Sequence, residues 1–427
     1  MGIGLIISYL YFAYESPRAL DRNMVNAFNK GKIYREDNLP VIEKLVKREN
    51  LENALKKILQ FPLQKYFLIL GEHGTGKTTL VQNTILNLQE PKGVVYFECP
   101  SNVKEFAKNL SKHLNCELYP FKLRDVFVQW IANSIRKEQV DHSEYSNWNL
   151  LSMQLLNTAH HYMKEYKRPI VLVLDQVDRI AKRDPMFFEI LQDFAKDCAD
   201  RGTLVIVFIA SDGLVPRVMQ SRSAWSRAKI PFEVGDISDD EAMEFLQGSG
   251  IDKKNAEDVV KYLTGGRFIL LRDFQKESRY DANSKILFSE LKKEMFTQIE
   301  RSLDTVDLPV NHKFFIKLIE TKHMDIKQAK TIIPLNMIRK LVEANIIKEH
   351  EDRTVSFHSR YIETYFKECA HFVKLCKKRK NKPELVLKSE PGEMIYRTFN
   401  LAIDVFLTEY EKLAIFHTPS KNLARPR

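Results

Sequence analysis

Gly71-Glu72-His73-Gly74-Thr75-Gly76-Lys77-Thr78 is the stretch on which the reading of this chain turns. It fills the pattern G-x4-G-K-[ST] without a mismatch. Ahead of it, Tyr66-Phe67-Leu68-Ile69-Leu70 is a short apolar run of the kind that forms a buried strand, and from Thr79 to Leu86 the sequence continues as a helix. A strand, a glycine-rich turn and a helix N-terminus together aim backbone N–H groups and the positive end of the helix dipole at an anion. Gly71, Glu72, His73, Gly74, Thr75, Gly76, Lys77, Thr78 and Thr79 are therefore the residues expected around the phosphates of a nucleotide. Lys77 reaches the β- and γ-phosphates, the Thr78 hydroxyl is the expected Mg²⁺ ligand, and His73 fills one of the unconstrained positions.

A second strand-like run supplies the matching acid. Ile170-Val171-Leu172-Val173-Leu174 ends on Asp175, and a carboxylate at such a strand end is the usual Mg²⁺ partner of a phosphate loop. Gln176 follows, where a hydrolysing enzyme of this layout places a glutamate base. An amide orients a water, as glutamine does in some GTPases, but does not accept its proton. Two acids stand as alternatives to Gln176. Asp178 reads otherwise as a helix-start cap, and Glu98 as a hydrogen-bonding strand end. Ser211 and Asp212 either sense a γ-phosphate or form an ordinary turn. Of Arg217, Arg222 and Arg227, Arg222 is the catalytic candidate, reaching a γ-phosphate in its own chain or a neighbour's; the alternative is a solvated basic loop.

Outward from these motifs the chain alternates strands and helices. Strands are expected at 94–97, 204–210 and 230–234, and helices at 41–59, between 103 and 166, and at 187–200, with Ser101 as an N-cap. That order predicts an α/β fold with a mainly parallel sheet, flanking helices, and the ligand at the strands' C-terminal edge. From Asp236 the pattern turns helical, with Ser238 capping the first helix and Gly265-Gly266 closing a later one. Short helices from Leu308 lead to an alternating run, Ile346 to His358, that reads as a β-hairpin. The expected divisions are an apolar start and basic linker (1–40), a P-loop core (41–235), a helical lid (236–303), a winged helix (304–368) and a basic tail with an amphipathic helix (369–427).

Composition bounds the rest. At 427 residues the chain is long enough for two or three packed units. Five cysteines without zinc or CxxC spacing suit a reducing compartment, so an intracellular, cytoplasmic or nuclear, location is expected. A net charge of +10 permits contact with nucleic acid or an anionic membrane without requiring either. Gly2 to Tyr14 is apolar but only about 13 residues long, against roughly 20 for a span. It reads as a short membrane-associating anchor, the remainder of a longer span, or a helix packed on the protein. The basic run Lys377–Lys382 is an import signal, a phosphate-contacting patch or a solvated tail.

In combination, the motifs resemble the AAA+/STAND group of P-loop ATPases, and within it the archaeal and origin-recognition-like members. Val46-Lys47-Arg48-Glu49 is similar to the V-G-R-E box that precedes the loop in those proteins, with Lys47 in place of glycine. Gly71–Thr78 matches Walker A, and Leu172–Asp175 matches Walker B with Gln176 departing from the second acid. Leu263-Thr264-Gly265-Gly266-Arg267-Phe268 resembles the lid's G-G-x-P, with phenylalanine for proline. The resemblance implies ATP and Mg²⁺ as ligands, a lid that closes over the nucleotide, and a winged helix after it. It also implies two kinds of function, a DNA-binding ATPase or a switch set by ATP against ADP, the latter compatible with slow hydrolysis. Homo-oligomers and protein clients are partners of the second kind. A membrane-tethered scaffold that holds nucleotide without hydrolysing it is a third reading. The recognition helix expected from that resemblance, Pro334–Ala344, offers Arg339 and Lys340 to a phosphate backbone, a small cationic complement for DNA.

Overall fold

The computed structural model describes residues 22–35, 46–60, 64–116, 145–211, 214–278, 284–304, 312–350 and 352–378. The readings placed on residues 2–14, on Asp212, on the basic run past residue 378 and on the amphipathic helix of the tail lie outside them. The chain divides into two compact units, Met1–Gly235 and Asp236–Arg427.

Among the described residues of the first unit, six strands form one sheet: β1 (Ile33–Tyr34), β2 (Phe67–Leu70), β3 (Val94–Glu98), β4 (Ile170–Asp175), β5 (Leu204–Ala210) and β6 (Phe232–Glu233). Their order is β1-β3-β4-β5-β2-β6, and every neighbouring pair is parallel. Parallel pairing needs long crossovers, and the helices that make them cover both faces. That is why β3, β4 and β5 are buried along their whole length and read as continuous apolar runs.

The two-residue period of a strand divides those runs between two cores. Phe97, Leu172, Leu174, Ile206 and Phe208 face one side, where helices at 22–30, Phe106–His113, Ser146–Tyr166 and Pro185–Arg201 pack. Tyr96, Val171, Val173, Val205 and Val207 face the other, against Leu55 and Leu59 of helix Glu49–Gln60 and Leu80, Val81 and Ile85 of helix Lys77–Leu86. Truncating any one of the large members, such as fully buried Phe208, to alanine is expected to cost about 3–5 kcal/mol.

Three expectations change here. Residues 22–34 are not linker: Met24, Ala27 and Phe28 are buried in the first core, and β1 extends the sheet beside β3. The helix before the loop begins at Glu49, leaving Val46–Arg48 without regular structure. The cap after β3 is Asn102, whose side chain accepts from the Lys104 N–H, rather than Ser101.

The second unit opens with helix Asp239–Gln247. Its start is a capping box: the Ser238 hydroxyl accepts from the Glu241 N–H, and Glu241 reaches back to the Ser238 N–H. Helices Lys253–Val259, Phe268–Glu277 and Ser284–Asp304 follow, with one π-helical turn, Val260–Thr264, closed by Gly265. Gly266 is required by close approach, because a Cβ there would lie 1.7 Å from the Ile237 carbonyl oxygen. Arg267, almost fully buried, pairs with Asp236 at 2.6 Å and donates to the His358 carbonyl at 3.0 Å.

Beyond these lie helices His312–Thr321, Ile326–Ile332 and Leu335–Glu343 and a three-stranded antiparallel sheet of β7 (Met324–Asp325), β9 (Thr354–Phe357) and β8 (Ile347–Glu349). The β8–β9 hairpin falls within the alternating run at 346–358. The last described helix, Arg360–Lys378, buries Tyr365, Phe366 and Cys369 in a core shared with Phe314, Leu318, Leu341, Ile347 and Val355, so residue 369 lies inside a packed helix and does not begin a tail. Among the described residues no helix is long and apolar enough to cross a membrane. Cys99, Cys116, Cys198 and Cys369 are buried free thiols.

Candidate functional site

The sheet register collects the chemistry at one edge. Leu70 at the end of β2 pairs with Ala210 of β5, Ile209 of β5 with Asp175 of β4, and Asp175 with Glu98 of β3. The residues that leave these strand ends (the loop from Gly71, Ser211, Gln176 and Cys99) therefore stand side by side, as expected for a parallel sheet.

The loop is shaped by its glycines. Gly74 and Gly76 have φ of 81° and 87°, values that L-residues with side chains rarely adopt. Gly71 answers to close approach instead, since a Cβ there would meet the Val234 carbonyl oxygen at 2.2 Å. Gly76 is the N-cap of helix Lys77–Leu86, so the N–H groups of the first turn point into the loop. Lys77 is buried, and its Nζ donates to the carbonyls of Gly71 at 2.6 Å and Glu72 at 2.9 Å. Arg48 braces the loop from outside, donating to the Thr75 carbonyl at 3.3 Å and to the Gly235 carbonyl at 2.8 Å.

Thr78 and Asp175, ninety-seven positions apart in sequence, meet directly: the Thr78 hydroxyl donates to Asp175 Oδ2 at 2.6 Å. Tyr96 donates its phenol to the same oxygen, and the Gln176 N–H donates to Oδ1 at 2.7 Å. Burial, and next the adjoining Asp175 carboxylate, push the Tyr96 phenol well above its ordinary range, so it stays a neutral donor. A hydroxyl and a carboxylate at a helix N-terminus are hard oxygen donors of the type Mg²⁺ takes beside phosphate oxygens. Thr78 and Asp175 would hold that ion, and it would supply charge neutralisation for the phosphates.

Gln176 has φ of 58°, and its side chain lies across the strand ends, Nε2 donating to Glu98 Oε1 at 2.7 Å. Arg179 reaches the same oxygen at 3.4 Å and the Cys99 carbonyl at 2.8 Å. Asp178 is not the cap of its own helix. Its Oδ2 accepts from the Ser211 N–H at 2.9 Å and so ties β5 to the turn after β4. Arg222 is engaged with acids of its own unit. Its guanidinium is bound to Glu189 and, at 2.7 Å, to Asp193, both on helix Pro185–Arg201. It serves as a brace for that helix. Arg227 is paired with Asp200 in the same manner. Tyr96 and Arg179 were missed by sequence reasoning. One is an aromatic in an apolar strand and the other a helix cation, and neither has a pattern of its own.

Residues 63–218 match the family described as an AAA domain. With the loop, the strand-end acid and the parallel sheet, this makes the first unit an AAA-type P-loop NTPase domain. No curated protein matches the chain. Among solved structures, the chain is similar to the Walker-type ATPase PABY2304 of Pyrococcus abyssi, at 14% identity and a TM-score of 0.48, over 80% of this chain and 99% of that one. It is also similar to the ORC2 protein of Aeropyrum pernix in its ADPNP-ADP complexes, at 10% identity and a TM-score of 0.42, over 78% and 97%. A third is the ORC1 protein of Aeropyrum pernix in complex with DNA, at 15% identity and a TM-score of 0.39, over 78% and 96%.

Proposed function

We propose that this protein binds Mg-ATP and works as a nucleotide-dependent conformational switch with slow hydrolysis. The observation that carries the reading is the meeting of Thr78 with Asp175 beneath a complete phosphate loop. Lys77 supplies the charge for the β- and γ-phosphates, and the N–H groups after Gly76 cradle them. Gln176 supports slow turnover, because the side chain that follows the Mg²⁺ acid is an amide engaged with Glu98. A switch needs different affinities for its two states rather than a fast chemical step. In this reading, residues 236–303 are the lid, and the three helices with the β8–β9 hairpin are a winged helix. Homo-oligomers or a protein client are the partners such a switch would act upon.

Equilibrium titration with a fluorescent ATP analogue tests the core of the reading. Micromolar or tighter binding is expected for the wild type and at least about tenfold weaker binding for Lys77→Ala. Equal tight binding by both would overturn it.

A second reading, a DNA-binding ATPase, is favoured by the exposed Arg339 on helix Leu335–Glu343 and the exposed Arg353 in the hairpin turn. Two such cations predict weak and strongly salt-dependent duplex binding. An affinity for duplex DNA that does not change between low and physiological salt, or no binding at low salt, removes this reading.

A further inference from the structure

We propose that Glu98 is the catalytic base of this site and Gln176 its positioning residue, the acid and the amide standing on neighbouring strands. This rests on the reading of the loop as an Mg-ATP site and concerns how the water is activated there.

Hydrolysis joins the oxygen of a water to the γ-phosphorus and breaks the bond from that phosphorus to the bridging oxygen of ADP. One proton of the water must pass to an acceptor before it reaches solvent. The products are ADP, inorganic phosphate and that proton. A carboxylate accepts it readily, whereas the amide of Gln176 is too weak a base.

Among the described residues, Glu98, Asp175 and Asp178 stand at the ends of β3 and β4 and in the turn after them, and the structure gives each a different task. Asp175 receives the Thr78 hydroxyl, the Tyr96 phenol and the Gln176 N–H, which fixes both of its oxygens for the metal role. Asp178 receives the Ser211 N–H and holds the end of β5. Glu98 stands directly across from Asp175 in the β3–β4 ladder, one strand further from the loop.

Glu98 is also held as a reacting group must be held. It is 7% exposed, the last residue of a fully buried strand, with Gln176 Nε2 at 2.7 Å and Arg179 at 3.4 Å, both on Oε1. Gln176 reaches it from a left-handed backbone conformation that few residues other than glycine adopt. Such conformations persist where the surroundings over-determine them, and they gather at functional sites. The amide that follows the Mg²⁺ acid is thus spent on aiming the neighbouring carboxylate, and the site contains an acid–amide pair with the acid on β3.

The test exchanges the pair. Glu98→Gln keeps the size of the side chain and its hydrogen bond to Gln176. Phosphate release in a single turnover is expected to fall about 100-fold. The affinity for a non-hydrolysable ATP analogue should stay within about threefold, and nucleotide extracted after loading with ATP should remain ATP. Gln176→Ala is expected to lower release while leaving analogue affinity intact. The double variant Glu98→Gln/Gln176→Glu, which returns the acid to the position after Asp175, is expected to recover release to within about tenfold of the wild type. Thermal unfolding of each variant, matched to the wild type, separates chemistry from folding.

Release by Glu98→Gln within about threefold of the wild type would overturn the proposal. So would a double variant as inactive as Glu98→Gln, or a wild type that releases no more phosphate than Lys77→Ala. The analogue titration stands apart: tight binding by the wild type that is lost in Lys77→Ala keeps the nucleotide reading whatever becomes of Glu98.

Discussion

Gly266→Ala is the substitution whose cost the second unit states most directly. The added Cβ would lie 1.7 Å from the Ile237 oxygen, 2.6 Å from its carbonyl carbon and 2.8 Å from its nitrogen. All three are backbone atoms, so no side chain can swing aside. To restore a contact of 3.0 Å, the shortest that real Cβ atoms tolerate, the chain at Ile237 must retreat by about 1.3 Å. The Ile237 N–H donates to the Gly266 carbonyl at 3.1 Å, and the retreat breaks that bond, at about 1–3 kcal/mol. Ile237 is itself buried and next to the Ser238 capping box. Partial loss of its burial adds about 1 kcal/mol and a disturbed cap about 1 kcal/mol. The expected destabilisation is about 3–5 kcal/mol, read as a lower urea midpoint in the far-UV circular dichroism of the full chain. Gly235→Ala is the control, because a Cβ there meets nothing within 4 Å and its φ is not positive, so a change of about 0.5 kcal/mol or less is expected. A Gly266→Ala chain within about 1 kcal/mol of the wild type would refute the close-approach reasoning.

Other consequences are open to measurement. Arg267→Met removes the partner of Asp236 and the donor to the His358 carbonyl; Asp236 keeps partial solvent contact, so a loss of about 2 kcal/mol is expected in the same urea assay. His113 is buried beside Lys32, and burial first and Lys32 second lower its pKa to about 4. The unfolded chain therefore binds an extra proton between pH 6.5 and about 4, and stability declines by up to about 3 kcal/mol as pH falls through that window. His113→Phe, which keeps a ring against Tyr34, should flatten that part of the stability profile, and an unchanged slope assigns it to other groups. Burial pushes the thiols of Cys99, Cys198 and Cys369 upward, so iodoacetamide at mildly alkaline pH should label them only after denaturation. Label on any of the three in the native protein, located by peptide mass, would contradict the packing described for it.

Much of the fold was legible because it rests on local chemistry. The phosphate loop needs glycines at fixed offsets, and those offsets are visible in sequence without knowing any partner. The strands at 170–175 and 204–210 were legible as continuous apolar runs because both of their faces are covered. The Ser238 cap was legible because a serine with glutamate three residues on satisfies orphan N–H groups locally. Residues 22–34 were not, since a short helix and a two-residue edge strand acquire their role only from the sheet they join. The pairing of Arg222 was hidden for the same kind of reason: its position after β5 admits a phosphate contact, and its contacts with Glu189 and Asp193 exist only in the folded chain.

The sequence by itself determined that this protein holds a phosphate loop with Lys77 and Thr78, a strand-end acid at Asp175, and an amide where a base was expected. These are matters of residue type and short spacing, which the chain carries in any conformation. Only the tertiary structure decided that Thr78 and Asp175 touch, that Tyr96 holds the same carboxylate, and that Gln176 turns to Glu98 at the end of the neighbouring strand. Those relations depend on the order in which parallel strands are laid side by side, and crossovers of many residues leave that order unwritten in any short stretch of sequence.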